Sequence, residues 1–181
     1  MTRPWPDGGC YPKPQPAGRQ LLVSLRSLKS AGLRRLTVGE QALAREVFGD
    51  GIAPDRVRVL SLPLWNRAFV AGPGLIIWPL ATVRTDFSDP ATPLRVQAVF
   101  VHELTHVWQA QNGISLLLAK IKAGDSDAAY RYELLDSEAF AMMNIEQQAM
   151  VVEHAFRLSR GGDAPLAPEV YALAQSAWRQ V

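Results

Sequence analysis

Apolar residues recur around much of a helical circumference in the middle of the chain. Thr92-Pro93 suits the beginning of a helix because proline is tolerated at the first helical position. Asn112-Gly113 suits its end. The pattern therefore predicts a long, buried central helix. Its apolar positions are Leu94, Val96, Val99, Phe100, Val101, Leu104, Val107 and Trp108.

Shorter patterned segments lie on both sides of this helix. Thr37-Val38-Gly39-Glu40 has the spacing of a capping box, and it predicts a helix that ends near Gly49. Two short runs rich in residues that favour β-strands predict two strands, the second ending at a proline. The whole pattern predicts an α+β fold, mostly helical, with a small sheet before the central helix. The strands are expected at 57–60 and 74–79, a helical piece at 114–122, an irregular stretch at 124–136, a second long helix at 137–158 and a terminal helix from 168.

The first residues have a different character from the rest. Prolines at positions 4, 6, 12, 14 and 16 predict a flexible, extended arm over residues 1–18, followed by a single domain over residues 19–181. Leucines at 21, 22, 25 and 28 predict a short amphipathic helix. Residues 1–39 hold seven basic residues and one acidic residue. Because no nucleic-acid-binding motif accompanies this charge, we do not expect a nucleic-acid partner.

Composition narrows the class of protein. With 181 residues, 48% hydrophobic, 20% charged and a net charge of +2, the chain fits one globular domain. The lone Cys10 excludes an internal disulfide and a cysteine-based zinc cluster. The longest uncharged stretch, 68–83, is short and contains prolines, so no membrane span is expected. No apolar signal segment is evident, which predicts a cytoplasmic protein or one exported without a signal peptide.

The central helix contains an H-E-x-x-H motif, His102-Glu103-Leu104-Thr105-His106. Residues four apart lie on one helix face, so both imidazoles can reach one Zn²⁺. Glu103 is offset by one position, where it can take a proton from an activated water. We therefore predict His102 and His106 as metal ligands, Glu103 as the catalytic base, and one Zn²⁺ per chain.

A catalytic zinc site needs a third protein ligand. The predicted second helix offers Glu138, Glu146 and Glu153. Glu146 has apolar neighbours three and four positions away on either side, and a carboxylate on such a face needs a partner. Glu138 lies near the predicted helix start, where the helix dipole favours an acidic residue without any metal. Glu146 is the favoured ligand, Glu138 the alternative, and Glu153 a candidate for the layer behind the ligands.

Other candidates carry weaker signals. His154 could stabilise an oxyanion or a carboxylate of the site, although a lone helix histidine is more often packed. Tyr130 or Tyr132 could donate a hydrogen bond to a developing oxyanion. The remaining large side chains are expected in the core. They are Trp65, Trp78, Trp108, Met142, Met143 and Met150.

Residues 102–109, His-Glu-Leu-Thr-His-Val-Trp-Gln, resemble the active-site helix of the gluzincin zinc metallopeptidases. More narrowly, the chain resembles the bacterial Vgr-related, peptidase-like family associated with contractile injection systems. That resemblance implies a minimal zincin-like domain, Glu146 as the third zinc ligand, and a secretion-system or phage-tail-like partner. It covers much of 36–158. It rests on Leu36-Thr37, residues 44–50, Val57-Arg58-Val59, Asp86-Phe87-Ser88 and residues 144–149.

Two functional hypotheses follow. The first is a zinc-dependent metallopeptidase that hydrolyses a peptide or protein substrate lying extended along the strand at 75–78. The second is a zinc-stabilised, non-catalytic binding or assembly module of a secretion or tail-like apparatus. The presence of Glu103 favours the enzyme, since a purely structural zinc site needs no carboxylate there.

Overall fold

The computed structural model of this protein describes residues 32–63, 66–124 and 127–179. Its strands form one four-stranded sheet in the order β1-β2-β4-β3. β2 and β4 run parallel, while β1 and β3 are antiparallel to their neighbours. The strands are β1 (Leu33–Arg35), β2 (Arg58–Leu62), β3 (Phe69–Val70) and β4 (Leu75–Pro79).

Six α-helices are found in the described parts of the chain, with short 3₁₀ turns between some of them. The described chain is thus α+β and mostly helical, with its sheet before the central helix, as the sequence predicts. The helices are α1 (Val38–Phe48), α2 (Leu94–Gln111), α3 (Leu116–Ala123), α4 (Ser137–Met142), α5 (Ile145–Ser159) and α6 (Pro168–Ala174).

The strand proposed to receive a substrate is an inner strand. β4 pairs with β2 on one side, and β3 occupies the other side opposite Ile76 and Ile77. A backbone whose hydrogen-bonding groups are paired on both sides cannot accept a further strand there. The prediction that a substrate pairs along β4 is therefore wrong at these two residues. The ending of the strand at Pro79 is confirmed.

A fully buried carboxylate fixes α1 to the sheet and to the loop before α2. Thr37 and Glu40 form the predicted capping box. The Glu40 carboxylate also accepts two hydrogen bonds of 2.7 Å from the Arg34 guanidinium and one of 2.9 Å from the Phe87 amide. Because each lone pair of a buried carboxylate needs a donor, this network joins three separate parts of the chain.

The central helix α2 is the core element of the fold. It packs most extensively on α5, and it also contacts α1, β3 and β4. The side facing the sheet is aromatic, with the rings of Phe87 and Phe100 stacked at 4.6 Å and Trp78 packed at 4.3 Å from Phe87. Trp78 and Trp108 are buried, as predicted. This packing holds α2 firmly on one side and leaves its other side to face α5.

The predicted second helix is wrong in one respect, because it is broken. α4 ends at Met142, and α5 begins at Ile145 after Asn144. The Asn144 side chain accepts hydrogen bonds from the first turn of α5, and the Gln147 side chain accepts one from the Asn144 amide. Asn144 thus begins a new helix. The break turns Met142 outward, at 87% exposure, against the prediction of a core position.

The remaining residues predicted to lie in the core or in the arm have mixed outcomes. Met150 is buried and Met143 half-buried, in line with their predicted packing. The arm at 1–18, the short helix near its end, Cys10 and Trp65 lie outside the described residues. Among the described residues, no helix has the length and apolar character needed to cross a membrane.

Candidate metal centre

His102, His106 and Glu146 converge between α2 and α5. Glu146 Oε2 lies 3.5 Å from His102 Nε2 and 3.5 Å from His106 Nε2. One ligand atom from each residue falls within 4.8 Å of the others, and all three residues are buried. The two histidines come from successive turns of one helix, as their spacing predicts. The group could therefore hold one metal ion.

Each imidazole is oriented from behind. His106 Nδ1 lies 2.8 Å from Gln109 Oε1. The Gln109 amide nitrogen donates to the Ile145 carbonyl and to Gln148 Oε1, so Oε1 is the atom left to face His106. Because an amide oxygen only accepts, Nδ1 of His106 carries the hydrogen, and Nε2 is the nitrogen that faces the centre. This arrangement suits metal ligation.

The second imidazole is oriented by a carboxylate. His102 Nδ1 lies 3.2 Å from Glu153 Oε2, and both side chains are almost fully buried. A carboxylate behind a histidine holds a proton on the nitrogen that faces it, here Nδ1. It raises the basicity of the nitrogen that faces the centre, here Nε2. Glu153 therefore takes the position behind the ligands that the sequence suggested for it.

Glu146 turns its two oxygens to different partners. Oε2 faces the two imidazoles, and Oε1 accepts a 2.6 Å hydrogen bond from Lys120 Nζ on α3. Burial opposes ionisation of Glu146, but the neighbouring imidazoles outweigh it and hold its pKa well below the usual range. Its position in the first turn of α5 also favours a negative charge. The carboxylate is thus ionised and available to a cation.

The acid–base candidate Glu103 lies beside this group and is buried. Burial raises its pKa, while the charges of His106 and His102 act in the opposite direction. Among the described residues, no hydrogen-bond partner faces Glu103 Oε2. A buried carboxylate oxygen without a donor needs a ligand or a water molecule beside it. The neighbouring centre is where such a partner fits.

The chemistry of the donor set agrees with zinc. Two imidazole nitrogens and one carboxylate oxygen are the donors of a catalytic zinc site that keeps its fourth position open. For His102, burial disfavours the charged form, but Glu146 and Glu153 overcome this and raise its pKa to about 10. Three buried carboxylates around two imidazoles attract a cation, whether a proton or a metal ion.

The alternative ligand Glu138 lies away from the centre. It belongs to α4 and is exposed, whereas Glu146 is 2% exposed. The break at Asn144 separates the two residues onto different helices. The structure therefore brings Glu146, and not Glu138, to the imidazoles.

The third histidine belongs to a separate buried network. His154 Nδ1 and Tyr132 Oη share a hydrogen bond of 2.6 Å, and Tyr132 Oη shares another of 2.6 Å with Tyr171 Oη. Burial lowers the pKa of His154 to about 4, so the ring stays neutral. The Tyr132 hydroxyl has two partners here and is not placed to donate to an oxyanion.

Tyr130 lies nearer the centre. Its hydroxyl accepts from Lys120 Nζ at 3.3 Å, and Lys120 in turn contacts Glu146. Of the two tyrosines, only Tyr130 stays a candidate for the oxyanion role predicted from the sequence.

Sequence reasoning missed Lys120 and Gln109. Gln109 had a local signal, since it stands three positions after His106 on the same helix; Lys120 had none.

Comparisons with known proteins fit this architecture. No protein-family model matches the sequence. Over 133 residues the chain is 33% identical to the type VI secretion system spike protein VgrG2b of Pseudomonas aeruginosa, an alignment covering 68% of this chain and 13% of that protein. It also resembles the solved effector domain of Pseudomonas aeruginosa VgrG2b, with a TM-score of 0.58 and 32% identity, over 79% of this chain and 80% of that one.

This chain belongs to the family of the VgrG2b effector domain. The predicted resemblance to Vgr-related bacterial proteins is thereby confirmed. Since the chain spans only 13% of the length of the spike protein, the likeness is to one domain of it. Zinc and peptidase activity stay predictions.

Proposed function

We propose that this protein is a zinc-dependent metallopeptidase that acts as an effector domain of a type VI secretion system. The observation that carries the proposal is the meeting of His102 Nε2, His106 Nε2 and Glu146 Oε2 at one buried point with Glu103 beside it. These three groups attract a cation between them, either a proton or a metal ion, and their donor set is one that zinc prefers. The adjacent carboxylate is the feature that a structural metal site does not need.

The proposed chemistry is hydrolysis of a peptide bond. His102, His106 and Glu146 would hold the zinc ion, which would supply Lewis acidity toward the scissile carbonyl and bring the pKa of a water molecule toward about 7. Glu103 Oε2 receives the proton of the attacking water and passes it to the leaving amine. Gln109 and Glu153 keep the two imidazoles in orientation throughout.

The deciding experiment replaces Glu103 by glutamine. Glu103→Gln keeps the side-chain volume and removes the base, so cleavage of a peptide-library or casein substrate should fall by about 10²–10⁴-fold. Zinc content should stay at about one ion per chain, because Glu103 is not a ligand. Activity is measured at equal zinc occupancy, with elemental analysis of both proteins.

A matched control is Glu133→Gln, which changes an exposed carboxylate between α3 and α4. It should retain full zinc content and full cleavage. Full activity in Glu103→Gln at equal zinc occupancy would contradict the assigned base. Zinc-loaded wild-type protein that cleaves nothing in a broad library would favour a second candidate function, a non-catalytic assembly module.

That second candidate is a non-catalytic, metal-stabilised assembly module. It is favoured by the relative itself, which is named as a spike protein and thus as a part of the secretion apparatus. Under this candidate the protein binds another component of the apparatus, and its metal serves folding. Zinc removal would then lower the melting temperature and abolish partner binding, while Glu103→Gln would leave both unchanged.

A further inference from the structure

Lys120 stands out among the charged side chains around the centre because it comes from a helix that supplies no ligand. α3 has no fully buried residue, yet its Lys120 reaches a carboxylate whose side chain is only 3% exposed. The Lys120 side chain itself is 41% exposed. A half-exposed lysine that directs its charge at a buried metal-ligand candidate is more than a surface ion pair.

The contact divides the Glu146 carboxylate between two partners. Oε1 accepts the 2.6 Å hydrogen bond from Lys120 Nζ, while Oε2 alone faces the imidazoles at 3.5 Å. A carboxylate can bind a metal through one oxygen or through both. With Oε1 drawn toward an ammonium group on its outer side, Oε2 is the oxygen that faces the imidazoles.

Lys120 is itself held in place. Its Nζ lies 3.3 Å from Tyr130 Oη and 5.7 Å from the centre of the Tyr130 ring. The hydrogen bond to the Tyr130 hydroxyl restricts an otherwise flexible side chain to the outer side of Glu146. Glu146 and the Tyr130 hydroxyl thus both position the lysine.

Charge balance supports the same assignment. Three buried carboxylates surround the centre, those of Glu103, Glu146 and Glu153. The ammonium group of Lys120, 2.6 Å from Glu146 Oε1, offsets part of this negative charge. Since an unbalanced buried charge is costly, a cation at the position of Lys120 belongs to the design of a divalent-metal site.

We propose that Lys120 is a positioning residue that restricts Glu146 to binding the metal through Oε2 alone. It thereby limits the protein donors at the metal to three. The inference rests on the metal centre of the proposed function and not on peptide cleavage. It assigns a function to α3, which sequence analysis left without one.

The test uses the whole chain loaded with Co²⁺, whose visible absorption is strong in four-coordinate sites and weaker at higher coordination number. Lys120→Met keeps the chain length and removes the charge. At equal cobalt occupancy its absorption should fall severalfold, because Oε1 becomes a further ligand. Lys120→Arg, which restores a cation beside Oε1, should restore the strong absorption.

The control is Lys122→Met, which removes an exposed lysine two positions along α3 and should leave the wild-type spectrum. Circular dichroism verifies folding, and Lys120→Gln is a second neutral variant if Lys120→Met aggregates. A wild-type spectrum in the neutral Lys120 variants would overturn the inference and leave the peptidase proposal intact. A wild-type chain that takes up no Co²⁺ and no Zn²⁺ would overturn both.

Discussion

The buried histidines of this protein fall into two groups that differ in chemistry, a pair on α2 and a single residue on α5. The first, His102 and His106, faces Glu146 at 3.5 Å and is backed by Glu153 and Gln109. The second is His154, whose Nδ1 meets the hydroxyl of Tyr132 at 2.6 Å. Both groups are removed from water, and both draw on α5. Only the first surrounds its imidazoles with carboxylates.

The partners decide what burial does to each ring. Burial alone disfavours the charged imidazolium in both groups. Around His102 the carboxylates reverse this and raise the pKa to about 10, whereas at His154 burial prevails and the pKa is lowered to about 4. A buried histidine among hydroxyls is thus a neutral packing group. A buried histidine among carboxylates lies in a site that attracts cations.

The largest effect expected from this difference is on metal content. His102→Ala or His106→Ala should remove nearly all zinc from the protein, because each deletes one of three ligands. His154→Ala should leave about one zinc per chain, since its network does not supply a ligand. Elemental analysis of the purified variants measures this, and full zinc in both His102→Ala and His106→Ala would refute the proposed centre.

The next comparison is between the two glutamates on either side of the helix break. Glu146→Ala should weaken zinc binding far more than Glu138→Ala, because Glu146 faces the imidazoles and Glu138 is exposed on α4. Competition titration with a chromogenic chelator gives both dissociation constants. The reverse order would mean that Glu138 moves into the centre when metal binds.

The two groups should also differ in acid. The pKa of His154 is about 4 in the folded protein, below the ordinary histidine value of 6.5 that applies to the unfolded chain, so proton uptake favours unfolding as the pH falls from 6.5 to 4. Its burial outweighs the opposing charge of Glu153, and Arg157 and His102 act in the same direction as burial. We expect a loss of about 3 kcal/mol of folding free energy over this range from His154.

Denaturant titration of zinc-free protein at pH 6.5 and 4 tests this. The variant His154→Gln keeps a polar partner for Tyr132 and removes the titration, so its stability should fall less than that of the wild type. Equal losses in both proteins would show that His154 does not carry the acid sensitivity.

The smallest expected effect concerns the hydroxyl that joins His154 to Tyr171. Tyr132→Phe removes a group with two hydrogen bonds of 2.6 Å, and it should lower the free energy of unfolding by about 1–2 kcal/mol. Zinc content should not change, because the hydroxyl lies in the second group alone. Loss of zinc in this variant would mean that the two groups are coupled.

Some features of the molecule could be predicted from the sequence, and others could not. The pairing of His102 with His106 follows from helical geometry, and the capping box at Thr37 is equally local. The break between α4 and α5 also had a local signal in Asn144 and Gln147, but apolar residues on both sides gave the appearance of one helix. The exposure of Met142 follows from that break.

The sequence by itself determined the fold class, because the order of patterned segments along the chain defines it. It also determined the central helix and the two imidazoles with their adjacent glutamate, because these depend on spacings within one helix. Tertiary structure decided which carboxylate faces the imidazoles, since Glu146 lies 40 residues beyond His106 in the chain. It also decided that Ile145 and Gln148 turn the Gln109 oxygen toward His106, that Lys120 holds the outer oxygen of Glu146, and that His154 joins two tyrosines instead of the centre. These contacts depend on how α3, α5 and α6 pack around α2, and no periodicity within a single helix encodes that packing.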